Sequence, residues 1–314
     1  MLSCTSATVG APSGGKGGQA EGARGGTALL GGAAGFSSGG VGGSSSTFYF
    51  GQGGSGGSAG DAQSDDTQQA DDCSESSKVV YLVTEQNYLY AFDPRISGLG
   101  AYTRIGILSC ETASTPQSMS VDRGGTAYVF YSSGHLYYVS TTTAACTPAS
   151  YQHPVTPTKT FNQLGMGFTA ETPGSSTQVL YIHSPDFGLA TVDLTTLVVK
   201  KLNVLPSVTA ELTGGPDATL FDFQSTSTEL SEIDRASYQT RLVHKFNLGT
   251  INAFAFSRYA GVFYVFTATS SGAMTTTTAF DPQTNKESVR DSNIGITVVG
   301  AGQSTCVPPP PPIP

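Results

Sequence analysis

The sequence predicts an all-β fold, a five-bladed β-propeller, on three observations. An apolar strand-like segment recurs five times, with its last residue at 93, 140, 193, 234 and 281. The intervals between these ends, 47, 53, 41 and 47 residues, are typical of one four-stranded blade per repeat. The first repeat also lacks its innermost strand, while a spare apolar segment comes after the last repeat. A ring of five blades accounts for all three observations.

Each repeat divides into four strands, A to D from the channel outward, by period-2 alternation and turn residues. In the second repeat we expect strand D at 141–146, and in the fourth we expect strand A at 212–217. The first repeat supplies only B (79–84), C (89–93) and D (102–108).

The missing strand A of the first blade is expected at the end of the chain. Residues Ile296 to Gly302 have a strand pattern and no blade of their own. If they complete the first blade, the ring closes and no open sheet edge remains. Cys73 and Cys306 then lie at the seam, which predicts a disulfide between them.

The other cysteines fit the same scheme. Cys110 and Cys146 are each expected at the fourth strand of successive blades, which predicts a second disulfide and an oxidising compartment. Free buried thiols are the alternative. Cys4 is left over, in the N-terminal segment.

The composition divides the chain into four parts. Residues 1–60 hold 21 of the 39 glycines and predict a disordered Gly/Ser-rich tail. An acidic linker is expected at 61–78, the five-bladed propeller at 79–306 and a Pro-rich C-terminal stub at 307–314.

Charge and hydropathy exclude several classes of function. The formal net charge is −8, and the basic residues are scattered, whereas nucleic-acid binding needs a concentrated basic surface. No apolar run approaches the ~20 residues that span a bilayer. The low content of charged residues, 12%, is typical of secreted and cell-envelope proteins.

Two short segments resemble known families. Leu2-Ser3-Cys4, followed by a Gly/Ser-rich tether, resembles the cleavage region of a bacterial lipoprotein, which implies a lipid on Cys4 and a location outside the cell or in the envelope. An ordinary chain start is the alternative. Segment 119–129, MSVDRGGTAYV, is similar to blades of NHL and SMP-30-type propellers. That likeness implies architecture and carries no activity.

Polar residues of the predicted ring fall on two faces. The turns from A to B and from C to D carry acids that we interpret as turn-forming residues, since Asp side chains bond the following backbone: Asp93, Asp122, Glu171, Asp193, Asp217, Asp234 and Asp281. The irregular loops from B to C lie on the opposite face, where binding loops are expected. There the sequence predicts a ligand-binding group of Tyr88, His135, Asp186 and Phe187.

Catalytic, metal and cofactor motifs are missing from the sequence. The four histidines show no ligand spacing, and no Gly-x-Ser-x-Gly elbow or phosphate-binding loop occurs. We therefore expect no catalytic residue, no metal and no cofactor. The sequence favours a non-catalytic secreted or cell-envelope propeller that binds a protein or a glycan. An extracellular five-bladed glycoside hydrolase or polysaccharide lyase is the alternative hypothesis.

Overall fold

The computed structural model describes residues 73–152, 162–203, 205, 208–270 and 272–311. Within these ranges the chain forms twenty β-strands and two short 3₁₀ helices, Glu75–Lys78 and Gly98–Ala101. The predicted tail, Cys4 and most of the predicted acidic linker lie outside the described residues.

The strands form five antiparallel sheets of four strands each, so the five-bladed propeller is confirmed. Blade 1 contains β20 (Val298–Gly302), β1 (Val80–Thr84), β2 (Tyr88–Phe92) and β3 (Tyr102–Ile107). Blade 2 contains β4 (Pro116–Val121), β5 (Thr126–Tyr131), β6 (Leu136–Ser140) and β7 (Cys146–Pro148). Blade 3 contains β8 (Gly165–Ala170), β9 (Gln178–Ser184), β10 (Gly188–Val192) and β11 (Val199–Asn203). Blade 4 contains β12 (Ala210–Gly214), β13 (Leu220–Gln224), β14 (Glu229–Ile233) and β15 (Thr240–Lys245). Blade 5 contains β16 (Ala253–Tyr259), β17 (Val262–Ala268), β18 (Thr276–Asp281) and β19 (Lys286–Asp291).

The ring closes as the sequence predicts. Strand β20 pairs antiparallel with β1, with Leu82 opposite Ala301, and completes blade 1 from the C-terminal end of the chain. Cys73 and Cys306 form a disulfide at this seam, across 233 residues of sequence. A second disulfide, Cys110–Cys146, joins blade 1 to blade 2. Both predicted pairings are confirmed.

Small residues let the inner strands approach one another. The innermost strands β20, β4, β8, β12 and β16 pack side by side around the channel. A Cβ added at Gly165 would lie 2.2 Å from the carbonyl oxygen of Ala210, and one at Gly302 would lie 2.6 Å from the Cα of Ser120. Contacts this short leave no room for a side chain, so the narrow five-blade ring requires glycine at these points.

The apolar core lies between neighbouring blades. On β5, Tyr128 and Phe130 pack toward blade 3, while Val129 and Tyr131 pack toward blade 1. Successive side chains of a strand point to opposite sides of its sheet, so a continuously apolar strand contributes to two cores. Similar clusters fill the remaining gaps between blades.

One predicted strand is wrong, the strand D expected at 141–146. Buried residues also lie on both sides of the range expected for the propeller. Residues 141–145 form a turn, and β7 begins at Cys146, because Ser140 Oγ accepts hydrogen bonds from the backbone of Thr142 and Thr143 and Ala144 has a φ of +59°. At the ends, Ser77 of the expected linker and Val307 of the expected stub are both buried.

Candidate functional site

Antiparallel strands give the propeller two distinct faces. The face that carries the A-to-B and C-to-D turns is here called the AB face. The face that carries the B-to-C and D-to-A connections is called the BC face. Every innermost strand begins at the BC face and ends at the AB face, because the chain enters it from a D-to-A connection. For β20 of blade 1 this is the connection from β19 of blade 5.

Aspartates on the AB face hold turns. Asp193 Oδ1 accepts hydrogen bonds from the backbone N–H of Thr195 and of Thr196, at 3.0 and 2.7 Å. Asp234 holds the corresponding turn of blade 4 through Ser237, at 2.6 Å from the backbone nitrogen. These hydrogen bonds lower the pKa of both carboxyls. The geometry agrees with the turn-forming interpretation of these acids.

A short C-terminal segment closes the channel at the AB face. Gln303, which comes directly after β20, is buried and donates to the carbonyl oxygen of Gly214 in blade 4 at 2.8 Å. Its side-chain oxygen accepts from Ser257 of blade 5. Thr305 accepts from Gln178 of blade 3 at 3.0 Å and from the guanidinium of Arg123 in blade 2 at 3.3 Å. Residues 303–305, the plug segment, therefore tie blade 1 to the other four.

The turn residues beside the plug segment are also fixed. Arg258 Nη1 donates to Asp217 Oδ2 at 2.9 Å and to Thr219 Oγ1 at 2.7 Å, and its guanidinium lies 5.0 Å from the ring centre of Phe221. Since Arg258 is 9% exposed, this ion pair is part of the wall and not a surface contact.

Two of the predicted binding residues are accessible on the BC face. Tyr88 is half-buried, with the guanidinium of Arg104 3.8 Å from its ring centre. His135 is exposed, and its Nδ1 lies 3.0 Å from Glu111 Oε2. Partial burial raises the pKa of Glu111, but hydrogen bonds from His135 and neighbouring hydroxyls outweigh it, so the net shift is downward.

The other two predicted binding residues lie in blade 3. Asp186 is half-buried, and its backbone N–H donates to Ser184 Oγ at 3.2 Å. Phe187 is only 6% exposed and belongs to the apolar cluster between blades 2 and 3. Phe187 does lie in the B-to-C loop of blade 3, between β9 and β10, but its ring is buried in the core. The four predicted residues thus come from three separate blades, and one of the four is a core residue.

Among the described residues, the channel is open at the BC face, where they line a cavity of about 220 Å³. All five blades contribute the first residues of their inner strands or the loops that precede them. The polar residues around this channel cavity are Glu85, Thr115, Gln117, Gln163, Thr209, Glu211 and Asn252. The apolar residues around it are Pro116, Leu164, Ala210, Ala253, Phe254 and Val299.

Glu211 is the residue of this cavity that sequence reasoning missed. Its side chain is 3% exposed, and its Oε2 accepts a hydrogen bond from Ser118 Oγ of blade 2 at 2.8 Å. Burial raises the pKa of Glu211 well above the ordinary value. The sequence predicts strand A of this blade from Leu212, which places Glu211 in the preceding loop. An acid inside the most buried strand of a blade is the signal that could have found it.

A second buried acid, Asp222, lies in the wall of blade 4. It is fully buried on β13, and its Oδ2 accepts from Gln224 Nε2 at 2.9 Å. Burial raises its pKa to about 6. Its Oδ1 has no hydrogen-bond partner among the described residues. It does not line the channel cavity.

Neither a metal site nor a membrane-spanning helix occurs in the described ranges. In those parts of the chain, no three His, Cys, Asp or Glu side chains come together as a metal site. In the same parts, no helix has the length and apolarity that crossing a membrane requires.

Comparison with known proteins gives likeness of fold only. No protein-family model matches the chain, and no curated protein matches it. A chain in the crystal structure of a nidogen/laminin complex matches with a TM-score of 0.46 and 9% identity, over 71% of this chain and 97% of that one. Hydrazine synthase of Kuenenia stuttgartiensis matches with a TM-score of 0.36 and 15% identity, over 55% of this chain and 49% of that one. The class that fold and topology define is the five-bladed β-propeller.

Proposed function

We propose that this protein is a non-catalytic binding propeller whose ligand, a protein or a glycan, docks on the BC face. One observation carries the proposal: all five blades meet around an open polar cavity on this face, while the plug segment closes the other end of the channel. Concave sites with a few convergent polar groups are the usual location of ligands. Tyr88, His135 and Asp186 extend the proposed surface outward from the cavity.

The two disulfides support a location outside the reducing cytosol. Disulfides persist in secreted and envelope proteins, and are rare where thiols are kept reduced. We place the protein outside the cell or in the cell envelope on this ground. A lipid on Cys4 is a further part of the proposal, tested by labelling cells with a fatty-acid probe. Label on the unaltered protein that is lost in Cys4→Ala supports it, and an unlabelled protein rejects it.

A matched pair of glutamines tests which face binds. Gln163 is exposed at the rim of the channel cavity, whereas Gln239 is exposed on the AB face. The purified full chain is first applied to a glycan array and to an array of extracellular proteins. We expect Gln163→Ala to weaken binding of the hits at least severalfold and Gln239→Ala to leave it unchanged. The opposite result, or the absence of any hit that depends on the BC face, contradicts the proposal.

A glycoside hydrolase or polysaccharide lyase remains the second candidate. It is favoured by the presence of two carboxyls, Glu85 and Glu211, at one cavity, since glycoside hydrolysis generally uses a pair of acids. The raised pKa of Glu211 is the property required of a general acid. Release of reducing ends from a polysaccharide panel, lost in Glu211→Gln and in Glu85→Gln, supports the enzyme. Binding without turnover supports the binding propeller.

A further inference from the structure

The residues that line the channel cavity differ in burial and in chemistry. Thr115, Gln163 and Asn252 are exposed, while Leu164 and Glu211 are buried. The buried part of the cavity thus holds the carboxyl of Glu211, and amides and hydroxyls lie at its exposed part.

Glu211 is held in place by blades 2 and 3. Ser118 Oγ donates to Glu211 Oε2 at 2.8 Å and itself accepts from the backbone N–H of Met166 at 3.1 Å. A side chain fixed in this way presents its carboxyl at a constant position. Preorganised groups bind better because less freedom is lost on association.

In the described part of its lining, the channel cavity carries acidic side chains and no basic ones. The only ionisable residues among those that line it in the described structure are Glu85 and Glu211, and both are acids. A buried carboxylate without a cationic partner is unfavourable, and an opposite charge with good hydrogen-bond geometry offsets that cost. Because burial raises the pKa of Glu211, the protonated carboxyl is favoured in the empty cavity. A cation that enters can take the place of that proton and offset the cost of the buried charge, whereas an anion or a neutral sugar cannot.

The remaining walls suit a narrow aliphatic chain. Pro116, Leu164, Phe254 and Val299 provide apolar surface in the same cavity as Glu211. Lysine and arginine side chains combine an aliphatic stem with a charged end, and they bury the stem along apolar surface. A volume of about 220 Å³ holds several water molecules, and so has room for such a stem and its head group.

We infer that the channel cavity binds the side chain of a lysine or arginine of a protein partner, with the cationic end against Glu211. The inference rests on the proposed binding function and narrows it to a protein ligand with an accessible basic residue. Docking of one basic side chain in a central pocket would make that residue the dominant contact of the interface, as anchor residues in buried pockets generally are.

Small probes test this inference on the full chain. The probes are Nα-acetyl-lysine N-methylamide, its arginine equivalent and its norleucine equivalent, which has the aliphatic chain without the charge. Binding is followed by amide chemical-shift titration. We expect the lysine or the arginine probe to bind at least tenfold more tightly than the norleucine probe. Equal binding of the charged and uncharged probes, or no binding of either charged probe, would overturn the inference.

Three variants assign the effect to the cavity. Glu211→Gln removes the carboxyl and should lower the affinity for the charged probe at least tenfold. Glu171→Gln removes an exposed acid from the AB face and should leave its affinity unchanged. Gln163→Arg adds a competing cation at the exposed rim and should lower the affinity for the charged probe severalfold. Because Gln163 is exposed, this variant should fold, and it tests the site even if Glu211→Gln does not fold. Equal effects of Glu211→Gln and Glu171→Gln would reject the site.

Failure of the inference and failure of the proposed function give different results. If the arrays yield a ligand that depends on Gln163 while the charged probes do not bind, the binding function stands and the basic-residue inference is wrong. A glycan as that ligand would have the same consequence. If the arrays yield nothing but the charged probe binds and responds to the variants, the inference stands for the cavity alone.

Discussion

The two ends of the channel are built from the same strands and differ in how the chain continues beyond them. At the AB face the chain continues from β20 into the plug segment, where Gln303 and Thr305 take part in hydrogen bonds with the other four blades. At the BC face the inner strands begin, and their first residues surround an open cavity. Ring closure thus lies at the AB face, and the proposed ligand access lies at the BC face. Changes at the AB face should therefore cost stability, and changes at the BC face should cost binding.

The largest expected effect comes from the seam beside the plug segment. Replacing both Cys73 and Cys306 by Ser releases a constraint across 233 residues. The chain-entropy model gives about 5 kcal/mol for a loop of this length and about 4 kcal/mol for Cys110–Cys146. We expect the first double variant to lower the free energy of unfolding more than the second, as measured by denaturant titration. Equal losses would show that ring closure at the AB face has no special importance.

Phe187 is a BC-face residue with a structural role, so its replacement should cost stability although it lies on the proposed binding face. Its side chain is buried, so Phe187→Ala should cost about 3 kcal/mol or more by leaving a cavity in the core. Tyr88, on the same face, is half-buried, so Tyr88→Ala should cost clearly less. Thermal unfolding of both variants measures this difference. If the Phe187→Ala variant is as stable as the parent, the ring of Phe187 does not contribute to the core.

Asp222, in the wall of blade 4, gives a pH dependence. Its pKa is raised from 3.8 to about 6 in the folded protein, so folding favours the protonated form. The contribution of Asp222 to the free energy of unfolding is therefore greatest below pH 4 and is lost as the pH rises through about 6. The loss between these pH values is at most about 3 kcal/mol. Asp222→Asn should therefore gain stability relative to the parent at pH 7 but not at pH 4. A pH-independent difference between the two proteins would contradict the assignment.

The plug segment should respond to loss of a single side chain. Gln303→Ala removes hydrogen bonds to Gly214, Thr213 and Ser257 and leaves their buried polar groups without this partner. We expect a loss of about 2 kcal/mol in the free energy of unfolding. Asn252→Ala, an exposed amide at the other mouth, should change stability by less than about 0.5 kcal/mol. Similar losses in the two variants would remove the distinction between the faces.

The fold could be predicted from the sequence because its signals are local and repeated. Strand alternation indicates five blades, and the absence of a first strand before Val79 requires a C-terminal strand to complete blade 1. Matched positions in the ring then pair the four cysteines. The predicted strands B (79–84) and C (89–93) of the first repeat agree to within one residue with β1 (Val80–Thr84) and β2 (Tyr88–Phe92).

The candidate site was less predictable because it depends on packing between blades. Glu211 becomes significant only when β12 lies beside β8 and Ser118 reaches its carboxyl. The burial of Phe187 likewise depends on blade 2. Closure of the channel by Gln303 requires partners that lie about 90 residues earlier in the chain and carry no pattern of their own.

We propose that ligands enter at the BC face, opposite the AB face that the plug segment closes. The most direct test is the amide chemical-shift map of the full chain titrated with Nα-acetyl-lysine N-methylamide. We predict that the largest shifts fall at the starts of the inner strands, at Gln117, Gln163, Glu211 and Asn252. Shifts centred instead on Gly215, Arg258 and Gly261 would place the ligand at the AB face and contradict the claim.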